Sequence, residues 1–255
     1  MSNILPFDDR RQVALPGDNQ ATVDFCVAHF IAIANESIKK QGYFAVALSG
    51  GSTPKVIFHN LSNQENRHQI DWKKCWIFWS DERAVEPTDP ESNYHMAMEA
   101  GLKEIGIPSE QVFRMVAEKN IEENAAIYEN AIKKHIPSGH FDLVMLGMGD
   151  DGHTASLFPW TDGLKNTEHL AISNYIPQKK VWRMSLTYKC INEASHIAIY
   201  VLGDNKATMV KKVLEGPYTP DDLPIQRVGT VEHPATWIID DAAARDLQDK
   251  HKQIR

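Results

Sequence analysis

The stretch VMLGMGDDGHTASLF, residues 144–158, decides how the chain is read. It contains Gly147-Met148-Gly149-Asp150-Asp151-Gly152, a G-x-G-x-x-G pattern, directly after the apolar run 141–146. That pattern after a strand is the fingerprint of a dinucleotide fold. The chemistry of the intervening residues argues against it. A dinucleotide site brings its second glycine against a pyrophosphate, and an acidic residue about 20 positions on meets the ribose. Here Asp150 and Asp151 stand where the pyrophosphate would lie, and two negative charges facing two phosphates repel. Pro159 also limits any helix that starts at the turn, and no second strand with an acidic tip follows. The glycines are better read as allowing a sharp turn from a strand into a short helix, with His153 at its lip. Asp150 and Asp151 are both near enough in sequence to orient the imidazole. The spacing leaves the two open, and Asp151 is carried forward with His153 as the candidate catalytic pair.

Working outward, the same grammar recurs. Helical spacing of apolar residues runs over 19–40, and short apolar strands are expected at 43–48, 75–79, 141–146, 181–186, 196–202 and 235–239. Helices are expected at 53–60, 93–102, 121–135 and 205–214, and from Asp241 onward. Thr53 is placed as N-cap of the helix at 53–60, with Pro54 at its first position. Nearly continuous apolar strands alternating with helices predict an α/β fold, a mostly parallel sheet covered by helices on both faces. The chain is read as one domain over residues 1–255. Ligands in such folds bind at the carboxyl ends of the strands, so the loops there hold the candidate site.

Two further loops stand at strand ends. Ser49-Gly50-Gly51-Ser52-Thr53-Pro54 combines adjacent glycines, hydroxyls and a helix start, a combination suited to phosphate. It lacks the G-x-x-x-x-G-K-[ST] spacing of a P-loop. Ser80-Asp81-Glu82-Arg83 puts two carboxylates and a guanidinium after a strand, and Arg83 suits an anion clamp. Ser92 or Asn93 reads as the cap of the next helix. Arg183 and Lys206 add cations, the latter where a strand gives way to a helix.

The chain as a whole bounds the function classes. It has 255 residues, 42% hydrophobic and 24% charged, with net charge −7. No basic run stands out, which disfavours nucleic acid and anionic membrane as partners. Cys26, Cys75 and Cys190 are far apart, without the spacing of a zinc site or a disulfide framework, and fit a reducing, cytoplasmic setting. The first residues carry charges and prolines rather than a signal-like apolar stretch.

Taken in order, SGGSTP (49–54), SDER (80–83), SNY (92–94) and GMGDDGHTASLFP (147–159) resemble the 6-phosphogluconolactonase family of the glucosamine/galactosamine-6-phosphate isomerase superfamily. The resemblance continues through Arg183 and residues 203–206 to 237–240, and so covers nearly the whole chain. The DGHTASLFP segment is the most specific part, whereas SGGSTP is shared with related isomerases and deaminases. The resemblance implies a Rossmann-like α/β sheet without a dinucleotide, and hydrolysis of 6-phospho-D-glucono-1,5-lactone to 6-phosphogluconate. That reaction is the second step of the oxidative pentose phosphate pathway. It implies no metal and no organic cofactor, and a phosphorylated sugar lactone as the only partner; monomer and homodimer are both open. His153 matches the family's catalytic histidine. The substrate and phosphate contacts fall on Gly50, Gly51, Ser52, Thr53, Arg83 and Lys206, with Asp81 and Arg183 added. Two departures stand out: the family often has Glu where Asp150 stands, and a proline-containing piece where this chain has Lys179-Lys180-Val181-Trp182. The alternatives are a glucosamine-6-phosphate deaminase, whose loop typically reads DGHI-A-F-N-E, and a sensor that binds a sugar phosphate without turnover.

Overall fold

The computed structural model describes residues 4–248. In chain order it contains β1 (Leu5–Pro6), β2 (Arg11–Ala14), α1 (Asn19–Gln41), β3 (Phe44–Leu48), α2 (Ser52–Ser62), β4 (Cys75–Trp79), β5 (Asp81–Arg83), α3 (Asn93–Glu99), α4 (Ile121–His135), β6 (Leu143–Gly147), β7 (Ala171–Ile176), β8 (Val181–Leu186), α5 (Tyr188–Asn192), β9 (His196–Val201), α6 (Ala207–Glu215) and β10 (Ala235–Ile239). Seven strands form one sheet in the order β1-β2-β10-β9-β6-β3-β4. All its pairings are parallel except β1 with β2. Every residue of β3 and β10 is buried. Successive strand residues point to opposite faces, so both faces of the sheet are covered.

A second sheet, β5-β8-β7, is antiparallel. Residues 181–186 form the expected strand, but in this small sheet rather than beside the parallel strands. The segment 81–83, read as a loop, is strand β5, paired with β8 in the register Asp81↔Ser185, Glu82↔Met184, Arg83↔Arg183. Three consecutive charged residues carry no alternation that marks a strand, and the partner that makes them one is distant in sequence. Ser80 joins the two sheets. Its N–H donates to the Leu48 carbonyl at 2.8 Å, and its own carbonyl accepts from the Leu186 N–H at 2.8 Å.

Three local expectations are corrected. Thr53 is not the N-cap of α2: the helix begins at Ser52, Gly51 takes the cap position, and no side chain caps it. No helix follows Gly152. The Gly149 N–H takes the His153 carbonyl that would seed one, Ala155 has φ 47°, and Leu157 N–H closes a turn onto the Thr154 carbonyl. Residues 241–247 form turns instead of a helix, because the buried Asp240 carboxylate accepts from the Ala243 and Gly203 N–H groups and bends the chain there. The rest of that expected helix, beyond residue 248, lies outside the described residues. Helix α3 also stops at Glu99 and α6 starts at Ala207, after a tight turn over Asp204–Lys206.

Strand β4 is the outer strand of the large sheet beside β3, so its far side needs partners. Phe113 N–H donates to the Ile77 carbonyl at 2.8 Å. Beyond it, the Tyr128 hydroxyl of α4 acts as a substitute strand: it accepts from the Trp79 N–H at 2.7 Å and donates to the Trp79 carbonyl at 3.0 Å. Both groups are buried. Tyr128→Phe therefore strips two backbone groups of their partner at once and is expected to cost about 2–4 kcal/mol. Urea unfolding of the variant beside the wild type checks this, and an unchanged midpoint would refute the role.

Candidate active site

The chain leaves β3 toward β4 on one side and later enters β6 on the other, so β3 and β6 flank the point where strand order reverses. Such a point leaves a crevice at the carboxyl ends of the strands. A cavity of about 240 Å³ lies there. Its walls come from Ser49, Gly50 and Gly51 after β3, Asp81, Arg83 and Arg183 from the small sheet, Gly147 at the end of β6, and Gly149, His153 and Phe158 after it.

His153 is held on three sides. Its Nδ1 lies 2.5 Å from Asp151 Oδ1, and its backbone N–H donates to the same oxygen at 3.1 Å. Its ring stacks on Phe158 with centroids 3.8 Å apart. Gly149 lies against the imidazole, and a Cβ there would overlap the ring and approach the Asp151 carboxylate. Partial burial of Asp151 pushes its carboxyl up, but the hydrogen bonds and charge of His153 outweigh this and hold it below the usual range. An ionised carboxylate only accepts, so Nδ1 carries the proton and Nε2 is left as the basic nitrogen.

The neighbouring carboxylate has another task. Asp150 accepts from Lys206 Nζ at 2.5 Å, and the same ammonium donates to the Met148 carbonyl at 2.9 Å. The question left open between Asp150 and Asp151 is thus answered by geometry. Lys206 is not among the residues that line the cavity.

The opposite wall is built on buried carboxylates. Glu82 accepts from the Arg83, Asn93 and Tyr94 N–H groups and from the Ser92 hydroxyl, all at 2.8–2.9 Å. Burial raises its carboxyl, and these four bonds oppose the shift. Ser92 in turn caps α3 by accepting from the His95 N–H. Asp81 accepts from the Ser156 hydroxyl at 2.6 Å and from the Asn93 amide at 3.1 Å. Gly50 is required because Asn93 packs directly on it, leaving no space for a side chain.

Arg83 and Arg183 face each other in register across β5 and β8. Arg83 donates to the Glu91 carbonyl at 2.5 Å, and neither guanidinium is in an ion pair among the described residues. Burial, and after it the charge of Arg83, lowers the pKa of Arg183, against the pull of Asp81, Glu91 and Glu82. Two like charges held together beside a cavity favour an anion between them. The start of α2, uncapped by any side chain, adds free N–H groups nearby.

The structure therefore gathers His153, Gly50, Gly51, Asp81, Arg83 and Arg183 at one cavity, with Asp151 held against the His153 ring. Ser52 lines a smaller neighbouring hollow with Arg83 and Lys55, while Thr53 lines neither. Asn93, Ser156, Phe158 and Lys179 also reach the cavity, none of them named as a substrate contact from sequence: Asn93 was read as a helix cap and Lys179 as part of a departure from the family pattern. Ser156 and Phe158 lie inside the quoted loop, so their nearness to His153 was a readable signal. Asn93 and Lys179 come from distant segments, and nothing local marks them as cavity residues.

Fold and site define an α/β protein with a His–Asp pair facing an arginine pair across the switch point of a parallel sheet. A family model described as glucosamine-6-phosphate isomerases/6-phosphogluconolactonase matches residues 17–237, and the chain belongs to that family. It is 39% identical to a 6-phosphogluconolactonase of Chlamydia muridarum over 252 residues, covering 98% of this chain and 96% of that one. The 6-phosphogluconolactonase of Trypanosoma cruzi is similar in structure, with a TM-score of 0.82 at 25% identity over 96% of this chain and 99% of that one. A monomeric glucosamine-6-phosphate deaminase shares the fold, with a TM-score of 0.76 at 19% identity over 92% of this chain and 99% of that one.

The contact with Gly149 gives a test of the histidine's seating. Gly149→Ala is expected to push the imidazole off Asp151. The downfield Nδ1 proton resonance of His153 in the wild type should then be lost, with the fold intact by circular dichroism. A retained resonance would show that the loop absorbs the methyl group.

Proposed function

We propose that this chain hydrolyses 6-phospho-D-glucono-1,5-lactone to 6-phosphogluconate, as a cytoplasmic enzyme without a metal or organic cofactor. The observation that carries the reading is the His153–Asp151 pair set across one cavity from Arg83 and Arg183. Kinship with lactonases over nearly the full chain supports it.

In this reading the phosphate is held by the two arginines and the loop 50–53. Anchoring one end of the substrate fixes its carbonyl at the other, and such positioning lowers the barrier. His153 Nε2 takes a proton from water as the water oxygen bonds to C1. The tetrahedral oxyanion collapses, the bond from C1 to the ring oxygen breaks, and the imidazolium returns its proton to that oxygen. The new acid loses a proton to solvent, and His153 ends as it began. Asp151 keeps Nδ1 protonated and offsets the charge of the imidazolium. Ser156 has its hydroxyl committed to Asp81 and is not needed as a nucleophile.

Opening of freshly made lactone at neutral pH tests this, with the spontaneous rate subtracted. The wild type should accelerate it. His153→Ala should lose about 10²–10⁴-fold in kcat with little change in KM. Arg83→Ala should mainly raise KM. An unchanged kcat in the histidine variant would remove its assigned role, and no acceleration by the wild type would overturn the reading and turn attention to amino-sugar phosphates.

A further inference from the structure

The reaction just described needs a donor for the oxyanion that forms on the lactone carbonyl, and in that reading His153 and the arginine pair already have other tasks. His153 handles protons, and the arginines hold the far end. One more cation lines the cavity. Lys179 lies in the turn between β7 and β8 and, among the described residues, is the one lysine that lines the cavity. Its ammonium makes no hydrogen bond and no ion pair among the described residues. It rests 4.9 Å from the centroid of the Phe158 ring, the same ring on which His153 stacks.

The backbone that carries it is fixed. Lys179 N–H donates to the Ile176 carbonyl at 3.1 Å, and Lys180 N–H to the Pro177 carbonyl at 3.3 Å. Lys180 turns the chain at φ 55°. The Gln178 amide donates to the Pro159 carbonyl at 2.9 Å, which ties the turn to the segment that carries His153. The side chain above this anchored backbone is held only by a cation–π contact. Lys179 is exposed, and a cation–π contact at an exposed site is weak, so a better acceptor displaces it at little cost. An oxyanion beside His153 is such an acceptor.

We infer that Lys179 is a further catalytic residue, which leaves the Phe158 ring when the lactone binds and donates to its carbonyl oxygen as negative charge develops there. The inference rests on the hydrolytic reading above. It assigns separate tasks to the cavity's cations: Arg83 and Arg183 hold the phosphate, and Lys179 serves the reacting carbonyl. Lysine suits this task, being a compact charge on a long flexible stem, where arginine suits a planar bidentate clamp.

The experiment measures kcat and KM of the full chain with Lys179→Met and Lys179→Arg. Beside them it measures inhibition by glucose 6-phosphate, which carries the phosphate but no lactone carbonyl. Because Lys179 lies at a turn, both variants should melt like the wild type. The expected result is a fall in kcat of about a hundredfold for Lys179→Met, the scale of losing one oxyanion donor. KM and the inhibition constant for glucose 6-phosphate should stay nearly unchanged, and Lys179→Arg should recover part of the rate. A weaker inhibition constant with kcat intact would overturn the inference and move Lys179 to the phosphate clamp. Unchanged kinetics would overturn it as well. If the wild type itself fails to open the lactone, the hydrolytic reading fails and this inference falls with it, an outcome distinct from the variant matching an active wild type.

Discussion

A single buried residue couples the two sheets, and the site depends on that coupling. Ser80 completes the large sheet through its N–H and begins the small one through its carbonyl, and its hydroxyl also donates to the Leu48 carbonyl at 3.1 Å. Leu48 is the last residue of β3, immediately before the glycine loop. The distance from that loop to Asp81 and Arg83 is therefore set by backbone hydrogen bonds within a fully buried unit, not by flexible side chains. Rigid elements position functional groups better than loops do. The Tyr128 hydroxyl secures the same joint from outside by occupying both backbone polar groups of Trp79.

The electrostatics follow from sorting rather than from total charge. The chain has net charge −7, yet Arg83, Arg183 and Lys179 converge on its cavity. The nearby carboxylates are each occupied in a way that leaves those cations free. Glu82 is spent on the start of α3, Asp81 on Ser156 and Asn93, Asp150 on Lys206 and Asp151 on His153. Adjacent residues of like charge, Asp150 and Asp151, thus serve different partners. An anionic ligand meets the unpaired guanidiniums without first having to displace a resident carboxylate.

Much of this was legible in residue order. Periodicity placed the α4 helix at 121–135 and the strands at 75–79 and 235–239 at their observed bounds, because each is long or apolar enough to declare itself. The candidate residues at 50, 51, 81, 83 and 153 could be named because strand ends in α/β sheets point to one edge, whereas Arg183, inside a strand, was named as a cation and through the family resemblance. What failed was long-range. Strand β5 exists only because β8 lies beside it, and no local propensity marks Asp-Glu-Arg as extended. The very short β1 and β2, and strand β7, went unread for the same reason: pairing, not composition, makes them strands. Thr53 looked like a cap because Pro54 looked like a first helical residue, whereas the close packing of Asn93 on Gly50 fixes where the chain turns. Lys206 stands at the expected strand end, but its direction depends on Asp150, which sequence could not assign.

The glycine pattern itself carries the last step. In a dinucleotide fold, a glycine in this turn is needed because a cofactor's pyrophosphate approaches the backbone where a side chain would stand. Here the same empty space is filled from within: the occupants beside Gly149 are the His153 imidazole and the Asp151 carboxylate. What such a motif encodes is therefore a vacancy against the backbone, and the charge of the residues around it tells what fills the vacancy. Two aspartates repel a pyrophosphate and instead hold an imidazole and an ammonium. A strand followed by a glycine turn can thus hold a base as readily as a phosphate, and the acidic residues inside the turn distinguish the two.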